Sequence, residues 1–81
     1  MAIRMSTENL SQLGKKFPHI SLETDRAGFI TEISLPKSYL LRKKAVNHGR
    51  ITEISFSVLK DEIRKGVPIK KGTYSFTSFT N

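Results

Sequence analysis

Two glutamates, Glu32 and Glu53, hold the same place in a repeated pentapeptide, ITEIS, at residues 30–34 and 51–55. Two carboxylates brought face to face can divide acid and base roles between them, so the repeat is the first place to look for catalysis. The competing assignment puts both side chains on the solvent faces of strands, and it is the stronger one. His19 and His48 are too few to build a metal cluster, and the absence of cysteine excludes thiolate ligands and disulfides. His48, between Asn47 and Gly49, reads as a helix-end or turn residue rather than a general base. Serines are plentiful, but none has the setting of a nucleophile, and no glycine-rich phosphate loop is present. The chain therefore reads as a non-enzyme without a cofactor or metal.

The chemistry that remains is electrostatic. Fourteen Lys and Arg oppose seven Asp and Glu, giving a net charge of +7 and a pI near 10.1. A field of that sign draws phosphate polymers or an acidic protein and speeds encounter with either. The candidate nucleic-acid contacts are Arg26, Lys37, Arg42, Lys43, Lys44, Arg50, Lys70 and Lys71. Lys15–Lys16 and Arg64–Lys65 are further basic doublets. Tyr39, Tyr74 and Phe79 are the candidates for base stacking, and each fits a core position better. These residues point to a small nucleic-acid-binding protein, with duplex DNA favoured over RNA, acting as a dimeric transcriptional regulator or antitoxin through phosphate contacts. Two alternatives stand beside it. One is a protein-interaction module, of the inhibitor or adaptor kind carried by phages and mobile elements, docking on an acidic or nucleic-acid-binding partner. The other is an RNA- or ribosome-associated factor.

The elements that must carry these residues follow from pattern. In 6–17, Leu10, Leu13 and Phe17 form one apolar stripe at helical spacing, with Ser6 or Thr7 as cap and Gly14 as an early stop. Residues 19–25 alternate as a half-buried strand. The turn DRAG (25–28) joins it to FITEISL (29–35), where Phe29, Thr31, Ile33 and Leu35 share a face. Pro36 is suited to the first turn of a helix, Gly49 to a position past its end, and Arg42, Lys43 and Lys44 to its last turns. PKSYLLRKKAVNHG (36–49) therefore reads as a second short helix, with Leu40, Leu41, Ala45 and Val46 inward. RITEISFSVL (50–59) is the second copy of the repeat as a strand, with Ile54, Phe56 and Val58 on one face. Residues 60–66 read as a turn or single helical turn. The C-terminal run forms a strand with Tyr74 and Phe76 on one face, pairing either within the chain or with a neighbour.

The order strand–Pro–helix–strand in DRAGFITEISLPKSYLLRKKAVNHGRITEISF (25–56) resembles the AbrB/MazE-type swapped-hairpin DNA-binding domains. The residues that carry it are Gly28, ISLPKSYLL (33–41) and HGRITEISF (48–56), and the resemblance covers about 32 of the 81 residues. Phe29 and Ile30 depart from the small polar residues usual after that glycine. The resemblance implies an interleaved dimer gripping DNA through basic residues, with Arg26, Lys37 and Arg42 foremost, and a C-terminal segment free for a toxin partner.

The expectation is a single domain over 1–81, of α+β class: a small antiparallel sheet of about four strands with two short helices, forming a homodimer. A chain this short buries roughly 60–65% of its unfolded surface, and dimerisation would enlarge a marginal core. No apolar run approaches the roughly 20 residues of a membrane span, and MAIRMSTENL lacks the apolar centre of a signal peptide, so a cytoplasmic location is expected.

Overall fold

The computed structural model describes residues 7–78. In chain order, β1 (Thr7–Asn9) leads into a 3-10 turn (Leu10–Gln12) and a one-turn helix, α1 (Leu13–Lys16). There follow β2 (Ser21–Thr24), β3 (Ile30–Ser34), β4 (Tyr39–Asn47), β5 (Arg50–Val58), β6 (Glu62–Arg64), β7 (Val67–Ile69) and β8 (Gly72–Thr77). One sheet has the order β1–β8–β5–β4, while β2–β3 and β6–β7 are separate two-stranded ribbons. The molecule is therefore mostly β, and the α+β expectation with two helices is overturned. No helix among the described residues is long and apolar enough to cross a membrane.

The main correction lies at 36–49. The Pro36 carbonyl accepts from the Tyr39 amide (3.0 Å), closing a turn, and the chain then runs as the nine-residue strand β4. Leu, Arg, Lys and Ala favour a helix intrinsically, but that preference is under 1 kcal/mol per residue and tertiary pairing outweighs it. The decisive local feature is His48–Gly49. Both residues have positive φ (53° and 75°) between the paired Asn47 and Arg50, as a two-residue hairpin turn requires. Such a turn folds β4 antiparallel onto β5, so the helix that the family resemblance implies between the two copies is a strand.

The N-terminal segment is partly as expected. Leu10, Leu13 and Phe17 are all buried, but Thr7 begins a strand parallel to β8 instead of capping a helix. The cap is Asn9, whose side chain accepts from the Ser11 amide at 2.9 Å. Ser6 lies outside the described residues. The 60–66 segment contributes β6 rather than a helical turn, and β6 meets β7 through a second positive-φ pair, Lys65–Gly66. β8 pairs within the chain, against β5 and β1, and Tyr74 and Phe76 point to the same side as expected.

The core lies on one face of the large sheet. Ile54, Phe56 and Val58 of β5 and Phe76 of β8 are at most 2% exposed and meet Leu13 and Phe17 from α1 and its end. Phe56 sits at the centre of an aromatic cluster. It stacks on Tyr39 at 5.7 Å and meets the Phe17 ring edge-on at 5.1 Å. The β2–β3 ribbon closes the layer with Leu22, Ile30 and Ile33. The opposite face of the sheet carries hydroxyls, with Ser55 bonded to Ser75 (2.6 Å) and Ser57 to Thr73 (2.9 Å) across β5 and β8.

The repeated pentapeptide folds the same way twice. In β3 the register passes from Glu32↔Glu23 to Ile30↔Thr24, which leaves Thr31 without a cross-strand partner. In β5 it passes from Glu53↔Ala45 to Ile51↔Val46, which leaves out Thr52. Each threonine is therefore the extra residue of a β-bulge. Each hydroxyl donates to the carbonyl opposite the following glutamate: Thr31 to Glu23 (3.3 Å) and Thr52 to Ala45 (3.4 Å). In a regular strand the two isoleucines of ITEIS would face opposite sides. The bulge turns both inward, and Ile30, Ile33, Ile51 and Ile54 all join the core. The expected grouping of Thr31 with Ile33 on one face is corrected accordingly.

Candidate nucleic-acid interface

Glu32 and Glu53 do not meet. Glu32 stands opposite Glu23 on the outer face of the β2–β3 ribbon, and Glu53 pairs with Lys43 at 3.4 Å. The proposed carboxylate pair of the repeat is thus dispersed into different sheets, and each member takes the solvent-face role. Glu23 and Glu32 are the two carboxylates among the described residues without a cation partner. The other five are engaged in Lys16–Glu8, Lys43–Glu53, Arg50–Asp25 (2.7 Å), Arg64–Glu62 (3.3 Å) and Lys70–Asp61 (3.8 Å).

This distribution leaves the side chains of Arg26, Lys37, Arg42, Lys44 and Lys71 in no ion pair among the described residues, although the Lys71 amide donates to Asp61 (2.8 Å), and each residue is exposed. Their positions follow from the sheet order. β4 is an edge strand, and its nine residues span about 27 Å at roughly 3.4 Å per residue. Lys37 lies just before its start. Arg42, Lys43 and Lys44 occupy its middle, with Arg42 bulged out of register between Leu41 and Lys43. Beyond its end comes the His48–Gly49 turn and then Arg50. Arg50 joins the two hairpin tips, holding Asp25 by an ion pair and lying 4.1 Å from the centre of the Phe29 ring. Arg26 belongs to the tip that Asp25 begins. Asp25 shapes that tip by accepting from the Ala27 and Phe29 amides (both 3.0 Å), and the Arg50 hydrogen bond, followed by the Phe29 amide, holds its carboxyl below the usual range.

Six of the eight sequence-derived candidates thus lie along β4 or at its ends. Lys70 and Lys71 do not. They precede β8, in the row where Tyr39, Val58 and Gly72 align, at the Lys37 end and two strands in from the β4 edge. There Lys70 borders a groove shared with Lys15, Lys16 and Tyr74, so the structure brings Lys70 beside a basic doublet more than 50 residues earlier in the sequence. The Tyr74 hydroxyl donates to the Lys70 carbonyl (2.7 Å). Tyr39 is buried in the core and unavailable for stacking, and Phe79 lies outside the described residues.

A polar chain that sequence reasoning missed sits at the same end. The Tyr39 hydroxyl donates to Glu62 (2.5 Å) and lies 2.7 Å from His19 Nε2. With its proton committed to Glu62, the hydroxyl can only accept from His19, so Nε2 carries the hydrogen and Nδ1 is bare. Nδ1 is buried and has no hydrogen-bond partner. Burial, reinforced by the nearby Arg64 charge, lowers the His19 pKa, while burial followed by the Glu62 carboxylate raises that of Tyr39. The Tyr39 hydrogen bond in turn holds Glu62 below its usual value. These residues come from three separated segments, and no local pattern signals their convergence. Compared with known protein families, curated proteins and solved structures, the chain matches none of them.

Proposed function

We propose that this protein binds nucleic acid without catalysis, holding the phosphate backbone along β4. The observation that carries this reading is the run Arg42–Lys43–Lys44 on an open strand edge whose sole opposing acid, Glu53, is committed to Lys43. Arg26 and Arg50 at one end of the strand and Lys37 at the other extend the run. Exposed ion pairs such as Lys70–Asp61 are worth about 0–1 kcal/mol, so a phosphate can displace the carboxylate at little cost.

Duplex DNA is the first ligand to test. At four residues, α1 is too short to serve as a recognition helix, so contacts would come from a strand and its turns, as in β-ribbon binders. Phosphate contacts position a protein without reading sequence, and base readout would fall to Arg26, His48 and Arg50 at the hairpin tips.

The test is a salt series on duplex binding with Arg42, Lys43 and Lys44 changed together to Ala. Affinity should fall, and the slope of log K against log salt should flatten by about two to three units, as three lost phosphate contacts imply. An unchanged slope would remove β4 from the interface. A preference for single-stranded RNA, lost on Tyr74→Ala, would move the site to the Lys15–Lys70 groove.

A further inference from the structure

Phosphate binding leaves part of β4 unused. Its outer edge carries the strand's unpaired backbone groups, and Leu40, Leu41 and Val46 on it are 46%, 49% and 54% exposed. A phosphate chain makes no use of aliphatic side chains or of an amide row, whereas an extended peptide uses both. A second copy of this chain is a poor occupant. Antiparallel self-pairing across the middle of β4 would set Arg42, Lys43 and Lys44 against the same three cations, and like charges directly opposed are destabilising. The Arg42 bulge and the two lysines are devices that keep open edges from pairing indiscriminately. They repel neutral or basic strands and select one of opposite charge.

We infer that β4 takes an acidic extended segment of a partner protein as an added strand. Its complement has three blocks: apolar residues against Leu40 and Leu41, acidic residues against Arg42, Lys43 and Lys44, and an apolar residue against Val46. The block order on β4 reads nearly the same from either end, so it suits either strand direction. The partner shares its cations with the nucleic-acid site and therefore competes for it, so one surface serves both binding and its regulation.

The probe is the peptide Val-Thr-Glu-Asp-Glu-Ile-Val, alongside the same peptide N-methylated at alternate amides. Methylation keeps charge and side chains but removes donors from the ladder. The expected result is binding of the first peptide, with amide chemical-shift changes concentrated at residues 40–46. The methylated peptide should bind at least about tenfold more weakly, since it loses several backbone hydrogen bonds of the ladder at once. Equal affinity of the two peptides would reduce the effect to charge attraction and overturn the inference. No binding of either would mean that the cations only guard the edge, and would overturn it equally. Leu41→Thr with Val46→Thr should weaken the peptide while leaving the oligonucleotide salt series unaltered, and weakening of neither would also count against strand addition. Duplex binding is measured separately, so a protein that takes the peptide and no oligonucleotide would retain this inference and lose the phosphate reading.

Discussion

At the level of single residues, His19 is the side chain whose environment makes the sharpest prediction. Its Nδ1 is enclosed without a partner while Arg64 and Lys65 oppose a positive charge nearby and Glu62 favours one. The net effect is a folded-state pKa below the ordinary 6.5. Above that ordinary value neither state binds the proton, and stability is full. As pH falls below about 6.5 the unfolded chain takes up the proton first, so stability declines until the folded-state value is reached and then levels. Thermal unfolding between pH 8 and 5 should show this decline in the wild type and a shallower one in His19→Gln. A flat wild-type profile would show that the ring is solvated. None of this was legible from the sequence, because His19, Tyr39 and Glu62 are 20 or more residues apart and meet only through the fold. The cations, by contrast, were legible as residues but not as a surface. Composition names Arg42, Lys43 and Lys44, yet a helix would spread them around a cylinder where a strand sets them on one edge.

At the level of elements, the sequence was a good guide wherever a segment alternated apolar and polar residues between turn signals. β2, β3, β5 and β8 stand where alternation placed them. It misled at β4, where helix-favouring residues lie between a proline and a glycine and mimic a capped helix. The contrary signal was the turn. Gly49 has φ near +75° in a tight hairpin, and a Cβ there meets open space, so its constraint is conformational and not steric crowding. Gly49→Ala should therefore destabilise by about 1–2 kcal/mol, the cost of a left-handed conformation for an L-residue. Urea unfolding measures it, and no change in midpoint would mean that the β4–β5 turn is not closed as described. The exposed Leu40, Leu41 and Val46 were also misassigned for this reason, since a helix would have turned them inward.

For the whole molecule, the dominant fact is an uncompensated positive field on a small core. The acids are mostly spent on ion pairs, and the two that are not, Glu23 and Glu32, oppose each other away from β4. Like charges left over on a compact chain weaken it by self-repulsion, and a bound polyanion relieves that. Heparin should accordingly raise the melting temperature. A polyanion at 100 times its dissociation constant adds about 2.7 kcal/mol, and the gain should vanish as sodium chloride is raised. A shift indifferent to salt would point to a contact other than charge.

The twin threonine bulges bear on how such chains are read. Isoleucines three apart ordinarily announce a helical stripe, yet here the spacing belongs to extended backbone that skips one residue so that both isoleucines reach the interior. Gly-x-Ile-Thr-Glu-Ile behaves as a portable instruction for a kinked strand. Deleting Thr52 would leave Ile51 and Ile54 on one face of a simple alternating strand, whereas drawing Thr52 into the ladder would carry Ile51 out to solvent and undo the corner where the two hairpins meet.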